Sequence, residues 1–306
     1  MSEILHQWAA ERGYHVAWGS RLLIADVRSE IVRRRTNLEI DEQLYVHELE
    51  SILSKGNDRP EKTIILIAKP CSAHRVSFDV DGKRFDTVIP PTYFRYRSLF
   101  EEIRLDLAAN GLKGVHLEHL SAPLKALASK LGLVSYGRNN IGYVKGLGSY
   151  FQLCGYLTDA VLPEMEKTET GIGMVMTECD NCSVCVGMCP TGAITEDRML
   201  LHAERCLTYV NENPGDWPDW VESRAHNSLV GCLECQRWCP ANPELPVEDT
   251  GLSFSAAETR LLLSGKAEAD DRAESGIRLK LAWLGQPYIE HVLGRNLKAL
   301  VKSRNI

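Results

Sequence analysis

Cys179-Asp180-Asn181-Cys182-Ser183-Val184-Cys185-Val186-Gly187-Met188-Cys189-Pro190 and Gly231-Cys232-Leu233-Glu234-Cys235-Gln236-Arg237-Trp238-Cys239-Pro240 are the stretches on which the reading of this chain turns. The first is spaced C-x2-C-x2-C-x3-C; the second, with Cys206 ahead of it, is spaced C-x25-C-x2-C-x3-C. Together they hold eight of the ten cysteines. Three closely spaced thiolates can bind three corners of an iron–sulfur cubane. Structural zinc takes two separated C-x2-C pairs, or cysteine with histidine, and leaves Cys185 and both Cys-Pro endings unexplained. Disulfides belong to oxidising compartments, and the N-terminus shows no export signal.

The spacing resembles that of bacterial two-cluster ferredoxins, in which the cysteine before each proline serves the other cluster. That resemblance implies one [4Fe-4S] cluster on Cys179, Cys182, Cys185 and Cys239, and a second on Cys206, Cys232, Cys235 and Cys189. Thr191-Gly192-Ala193-Ile194 continues the likeness.

A ferredoxin unit needs only part of 306 residues, so most of the chain must do something besides hold clusters. Hydrophobic content of 44% with 25% charged residues is ordinary for a soluble globular protein. A net charge of −6 gives no general attraction to nucleic acid. No stretch approaches the roughly 20 apolar residues of a membrane span, and Arg33-Arg34-Arg35 reads as a solvated helix end rather than an export signal. The expected location is cytoplasmic.

Residues 2 to about 55 read as helical, from Ile4, Leu5, Trp8 and Ala9 and a later stripe through Leu38, Leu49 and Leu53. Thr63 to Ala68 is a short apolar run suited to a buried strand. Asp81-Gly82 between 76–80 and 84–89 is a strong hairpin signal. A helix over 97–110 is expected to cap at Asn110-Gly111, with a strand at 114–117 and a helix at 122–131. This alternation predicts an α/β domain. Residues 137–158 are rich in glycine and aromatics, which suits either a turn-rich strand pair or close approach of backbone to a ligand. No nucleotide-binding glycine pattern occurs there. A linker is expected over 164–177, and a helical tail from 250 opening on a capping box, Ser255 to Glu258.

Several passages resemble the epoxyqueuosine reductase family, which is related to reductive dehalogenases. They include Thr63 to Ala68, Ser121-Ala122-Pro123, Gly137-Arg138-Asn139, Gly148-Ser149-Tyr150-Phe151, Leu157-Thr158-Asp159, the cluster stretches and Arg295-Asn296-Leu297. The resemblance implies an α+β chain: an N-terminal α/β cobalamin-binding-type domain (1–165), a double-cluster ferredoxin-like module (166–248) and a helical C-terminal tail (249–306). It also implies a base-off cobalamin contacted by Gly137, Asn139, Gly148, Ser149 and Tyr150. An external donor such as ferredoxin or flavodoxin would supply the electrons.

One departure bears on the substrate. The family carries an aspartate proton donor immediately before Ser-Ala-Pro; here that position is Leu120, which cannot transfer a proton. Tyr136, Tyr143 and His119 are the candidate replacements, with Tyr93 and Tyr96 as further phenols. Cys71 and Cys154 read as buried thiols. The expected function is thus an iron–sulfur, cobalamin-dependent reductase acting on a small molecule or other substrate, not on epoxyqueuosine in tRNA. The alternatives are a non-catalytic electron carrier for another corrinoid protein, and epoxyqueuosine reduction with a relocated acid.

Overall fold

The computed structural model describes residues 1–54, 62–163, 165, 175–264 and 271–304. Along the first half run α1 (Ser2–Glu11), β1 (His15–Ser20), α2 (Leu23–Thr36), α3 (Glu42–Leu44), α4 (Glu50–Ser54), β2 (Thr63–Pro70), β3 (Ala73–Val80) and β4 (Lys83–Ile89). Then come α5 (Tyr96–Asp106), β5 (Leu117–His119), α6 (Leu124–Lys130), β6 (Ser135–Tyr136), β7 (Gly142–Tyr143) and β8 (Phe151–Thr158). The second half holds α7 (Val184–Met188), α8 (Leu207–Glu212), α9 (Glu234–Arg237), β9 (Val247–Phe254), α10 (Ala256–Ser264), α11 (Asp271–Leu284) and α12 (Glu290–Ser303). Among the described residues no helix is long and apolar enough to cross a membrane.

The chain divides into two compact units that are not consecutive in sequence. One comprises 1–70, 98–183 and 194–203; the other comprises 71–97, 184–193 and 204–306. This differs from a division at 165 and 248, because the hairpin at 73–89 joins the C-terminal helices and the boundary falls inside the first cysteine run.

In the first unit, β1-β2-β8-β5 form one sheet whose neighbours are all antiparallel. The alternation of strands and helices is present without the parallel pairing of a βαβ fold. Strand β2 is apolar throughout because both its faces are covered. Ile64, Leu66 and Ala68 pack with Val27, Leu120 and Leu127. Ile65 and Ile67 pack with Leu5, Trp8, Trp18 and Tyr156 on the other side. Strand β1 interrupts what reads as a continuous helical region, and its Val16, Ala17 and Trp18 are buried. Arg34, at the end of α2, is also buried rather than solvated, held by Glu30 at 2.8 Å and Glu39 at 2.6 Å. Past α5 the chain makes a wider turn over 107–111, and Gly111 packs against Trp8 instead of forming a left-handed cap.

In the second unit the order is β4-β3-β9. The hairpin turns at Asp81 and Gly82, both at positive φ, and β9 pairs parallel to β3. The tail therefore begins with a strand, whose mostly exposed residues carry no apolar period. Phe78 stacks on Phe254 at 4.6 Å, and α11 and α12 close this core with Ile277, Leu281, Leu293 and Leu297. The capping box is present: Ser255 N–H donates to Glu258 at 2.6 Å, and Glu258 N–H donates to Ser255 Oγ at 3.4 Å. The linker expected over 164–177 lies outside the described residues except for 165 and 175–177.

Candidate functional site

In the second unit the cysteines gather around Cys235. Burial pushes its thiol well above the ordinary range, and Cys232, Cys206, Cys189 and Cys185 are near enough to add to the shift. Burial also raises Cys206, and it pushes Cys232 up to about 11. An anionic sulfur here needs compensation, which cationic iron and N–H donors supply. The donors are in place. Asn227 Nδ2 donates to Cys232 Sγ at 3.2 Å, and Ala193 N–H donates to Cys189 Sγ at 3.2 Å. Among the described residues no three ligating groups converge on one point as a mononuclear ion requires. Cubane ligands stand farther apart because each thiolate binds a different iron.

The residues behind these cysteines come from the tail motif. Asn296 Nδ2 donates to Asn211 O at 2.8 Å and to Leu229 O at 3.0 Å, with Asn296 itself 2% exposed. Asn211 and Gly231 exchange two bonds, at 2.6 and 3.0 Å. Gly231 sits at φ +69°, and a Cβ there would stand 2.8 Å from the Tyr93 ring, so both backbone and space require glycine. The Tyr93 hydroxyl is bonded to Glu212, which removes it from the candidate proton donors.

In the first unit Cys179 and Cys182 are tied to the glycine-aromatic segment. Met176 N–H donates to Tyr136 O at 2.8 Å, and Val175 bridges to Tyr136, so the chain enters the first cysteine run from the edge of β6. Arg138 N–H donates to Cys179 Sγ at 3.4 Å. Its guanidinium donates to Cys179 O at 2.8 Å and to Cys182 O at 3.1 Å. A tight turn holds Arg138 in place: Gly137 N–H donates to Ile141 O, and Asn140 N–H to Gly137 O, both at 2.9 Å. A Cβ on Gly137 would come within 2.6 Å of both Asn139 and Tyr143, so glycine is needed for this close packing.

The remaining expected site residues fall on and around this turn. Asn139 is buried, donates to Tyr143 Oη at 2.9 Å and accepts from Ile141 N–H. Tyr143 also lines a cavity of about 490 Å³ shared with Tyr14, Ser135 and Lys145, a volume within the small-molecule range. Tyr136 is buried, and burial holds its phenol up at about 12. Gly148 closes the next turn through two bonds with Val144, and Ser149 and Tyr150 are buried beside it. His119 stands apart: it is half exposed on β5 and bonded to Glu101 at 3.0 Å. Arg104 and then His119 hold the Glu101 carboxyl down at about 2. Leu120 is 6% exposed in the apolar core, with its N–H given to Gly155 O. Cys154 is buried as expected, whereas Cys71 is only half-buried.

Three residues here, Lys125, Gln152 and Asn140, carry no distinguishing signal in the sequence. Lys125 donates to Asn140 Oδ1 at 3.0 Å and places its ammonium 5.1 Å from the Tyr136 ring centroid. Its stem keeps some exposure, but burial of the ammonium draws the pKa down to about 8. Gln152 on β8 is buried with neither end of its amide paired, and Asn140 Nδ2 is likewise buried and unpaired. Unpaired amide atoms thus lie beside the segment 148–150 and within the turn 137–141, a polar setting that suits a ligand rich in polar groups. The cobalamin expected there is chemically compatible with these residues.

The architecture and cysteine pattern place the chain among proteins with a double iron–sulfur module: residues 178–242 match the 4Fe-4S double cluster binding domain. More particularly, the chain is similar to epoxyqueuosine reductases. It is 35% identical over 130 residues to that of Aliivibrio fischeri, covering 42% of this chain and 33% of that protein. Against that of Escherichia coli K12 it is 35% identical over 125 residues, covering 40% of this chain and 31% of the relative. The match thus spans about a third of the curated relatives' length. The fold is shared more widely. An epoxyqueuosine reductase from Streptococcus thermophilus superposes with TM-score 0.67 at 17% identity, covering 100% of this chain and 82% of the other. A further epoxyqueuosine reductase, solved with an epoxyqueuosine-modified tRNA stem loop, gives 0.67 at 17% identity, covering 99% and 81%.

Proposed function

We propose that this protein is an iron–sulfur reductase in which two [4Fe-4S] clusters deliver electrons to a cobalamin, and that its substrate is not epoxyqueuosine in tRNA. The observation that carries this reading is the direct hydrogen bonding of Arg138 to Cys179 and Cys182. It joins one cluster's ligand run to the turn and the glycine-aromatic segment where unpaired amides collect. Gly137, Asn139, Gly148, Ser149 and Tyr150 would hold the cobalamin, together with the neighbouring amides. When bound, that group supplies a strongly reducing, nucleophilic metal centre. The chain's own part is to bind and orient it, to exclude water around buried Tyr136 and Tyr150, and to hold a proton nearby.

Leu120 supplies no such proton, which supports a substrate different from that of the relatives. Of the candidate donors, Tyr143 fits best. Its hydroxyl is oriented by Asn139, and it lines a cavity of about 490 Å³. His119 is occupied by Glu101 and half exposed. An external donor such as ferredoxin or flavodoxin would load the clusters.

Anaerobic reconstitution followed by titration with hydroxocobalamin tests the reading. A saturable spectral change at micromolar protein is expected, and its absence would sink the cobalamin assignment. Turnover of epoxyqueuosine-tRNA to queuosine-tRNA under reducing conditions would overturn the substrate assignment and leave the cofactor standing.

A further inference from the structure

The loop that joins β6 to β7 makes a specific demand on its backbone. Gly137 N–H donates to Ile141 O and Asn140 N–H to Gly137 O, so residues 138–140 form a hairpin loop with Asn140 in third place. Such loops put their third residue in the left-handed region, where glycine is the usual occupant. Asn140 takes that conformation, at φ +59°. Asparagine enters it more readily than other side chains, yet less freely than glycine. A group that grips Asn140 therefore steadies the whole loop.

Lys125, in the first turn of α6, is that group. Its ammonium donates to the Asn140 backbone carbonyl and, at 3.0 Å, to Asn140 Oδ1, so it holds main chain and side chain together. The same side chain meets both strands of the hairpin. A Cβ on Gly142 in β7 would lie 3.6 Å from Lys125 Cγ, and the ammonium stands 5.1 Å from the Tyr136 ring centroid in β6. Burial lowers the Lys125 pKa only to about 8, so the ammonium is charged at neutral pH and both bonds are charge-assisted. Neither bond goes to a cysteine. The loop itself makes that connection, through its first residue. Arg138 gives its N–H to Cys179 Sγ at 3.4 Å and its guanidinium to Cys179 O and Cys182 O.

We propose that Lys125 is a positioning residue for the cluster on Cys179 and Cys182. By holding Asn140 in the left-handed conformation it fixes the loop from which Arg138 donates to the ligand sulfur, and so sets that cluster's potential. The inference rests on the assignment of these two cysteines as cluster ligands and is independent of the cobalamin. A hydrogen bond to a ligand sulfur raises a cluster's potential, because it stabilises the electron added on reduction. A loop that relaxes at Asn140 turns the Arg138 N–H, two residues earlier, away from Cys179 Sγ. The reduced form then loses that bond.

The test uses the cluster-loaded full chain in three forms. They are the wild type, Lys125→Met, which keeps an unbranched stem but donates nothing, and Lys125→Met combined with Asn140→Gly. Iron is assayed, and redox titration followed by electron paramagnetic resonance gives both midpoint potentials. At a fixed applied potential, the reduced-to-oxidised ratio of one cluster should fall roughly threefold or more in Lys125→Met, about the net worth of one hydrogen bond. The other cluster should not move. Adding Asn140→Gly should restore the ratio, since glycine adopts left-handed backbone without being held. If Lys125→Met loses one cluster's iron outright, the double variant should regain both iron and potential. Unchanged potentials in Lys125→Met, or equal shifts in both clusters, overturn the proposal. So does a shift or an iron loss that glycine fails to reverse, which would make the charge or packing of Lys125 the cause. A wild type holding about four iron per chain or fewer, rather than about eight, overturns the two-cluster assignment and the proposal together.

Discussion

Cys179 and Cys182 are held by a single arginine on a turn of five residues, whereas Cys206, Cys232 and Cys235 are built into a buried lattice of amides and helix ends. Both runs end in C-x2-C-x3-C-P, yet the surroundings of their cysteines differ in kind. Around the first, Arg138 supplies positive charge and three donated hydrogen bonds from a segment that also carries Tyr136, Asn139 and Tyr143. Around the second, Asn227 donates to sulfur, Asn211 and Asn296 brace the backbone behind it, with the Arg295 guanidinium on the Asn211 carbonyl and on no cysteine, and burial dominates, raising Cys232 to about 11. Cluster potentials respond to local charge, hydrogen bonds to sulfur and solvent exposure. The two clusters should therefore differ in potential, with the charged environment raising the one beside the glycine-aromatic segment.

The largest effect that would break this comparison concerns the ligand sets themselves. The reconstituted protein should contain about eight iron and eight sulfide per chain, the sum for two cubanes. Cys235→Ala should leave about four of each. Pairing of Cys189 with the second set makes a sharper claim. Cys189→Ala combined with Cys235→Ala should still retain about four iron, because both changes strike one cluster, while Cys189→Ala with Cys182→Ala should retain almost none. Iron analysis of the two double variants reads this directly, and the reverse pattern would show that the ligands do not cross.

Next in size is the lattice behind the second set. Asn296→Ala removes both bonds from Asn296 Nδ2, leaving Asn211 O and Leu229 O buried with fewer partners. A loss of roughly 2–4 kcal/mol in denaturant unfolding of the cluster-loaded protein is expected. A change below about 0.5 kcal/mol, ordinary for surface positions, would show that the lattice is not what supports the module.

What the sequence discloses follows how local each signal is. Asp81-Gly82 places a hairpin because the turn is decided by two residues, and Thr63 to Ala68 reads as a buried strand because both faces are apolar. Ser255 and Glu258 announce a helix start three residues apart. Strands β1 and β9 are not legible in that way. His15–Ser20 is short and lies between helices, and Val247–Phe254 is mostly exposed and gains its pairing from β3, far back in the chain. The candidate site divides similarly. The cysteines are visible through spacing alone. Arg138 belongs to the Gly137-Arg138-Asn139 motif, but its bonds to Cys179 and Cys182 exist only once the chain has folded. Lys125 and Gln152 look like ordinary polar positions, and only burial, with an unpaired amide at Gln152, sets them apart.

Arg138 offers a smaller effect that sharpens the contrast. In Arg138→Gln the backbone N–H still reaches Cys179 Sγ, so the bond to sulfur persists while the positive charge is lost. One cluster's midpoint potential should move to a more negative value, since reduction adds an electron that the guanidinium no longer stabilises. The other should stay within error. Redox titration followed by electron paramagnetic resonance distinguishes them, and equal shifts in both would remove the basis for treating the surroundings as different.

The smallest expected effect is a pH dependence confined to the second set's neighbourhood. Burial, then the nearby Arg295, draws His226 down to about 4. The ring packs edge-on against Trp217 at 4.3 Å, and Arg295 lies 4.2 Å from the same Trp217 ring. An unfolded histidine titrates near 6.5, so between about 6.5 and 4 the unfolded chain binds this proton and the folded one does not. Stability from this group is thus fully present above about pH 6.5 and is lost as pH falls toward 4. Because His226 is only half-buried, screening reduces the effect to roughly 1 kcal/mol across that window. His226→Phe abolishes the titration while keeping an aromatic ring against Trp217. Its unfolding free energy should fall less than that of wild type between pH 7 and pH 5, measured on cluster-loaded protein under anaerobic conditions. If the two slopes coincide, His226 is protonated as readily in the folded protein as in the unfolded chain, and burial around the second set is weaker than its geometry indicates.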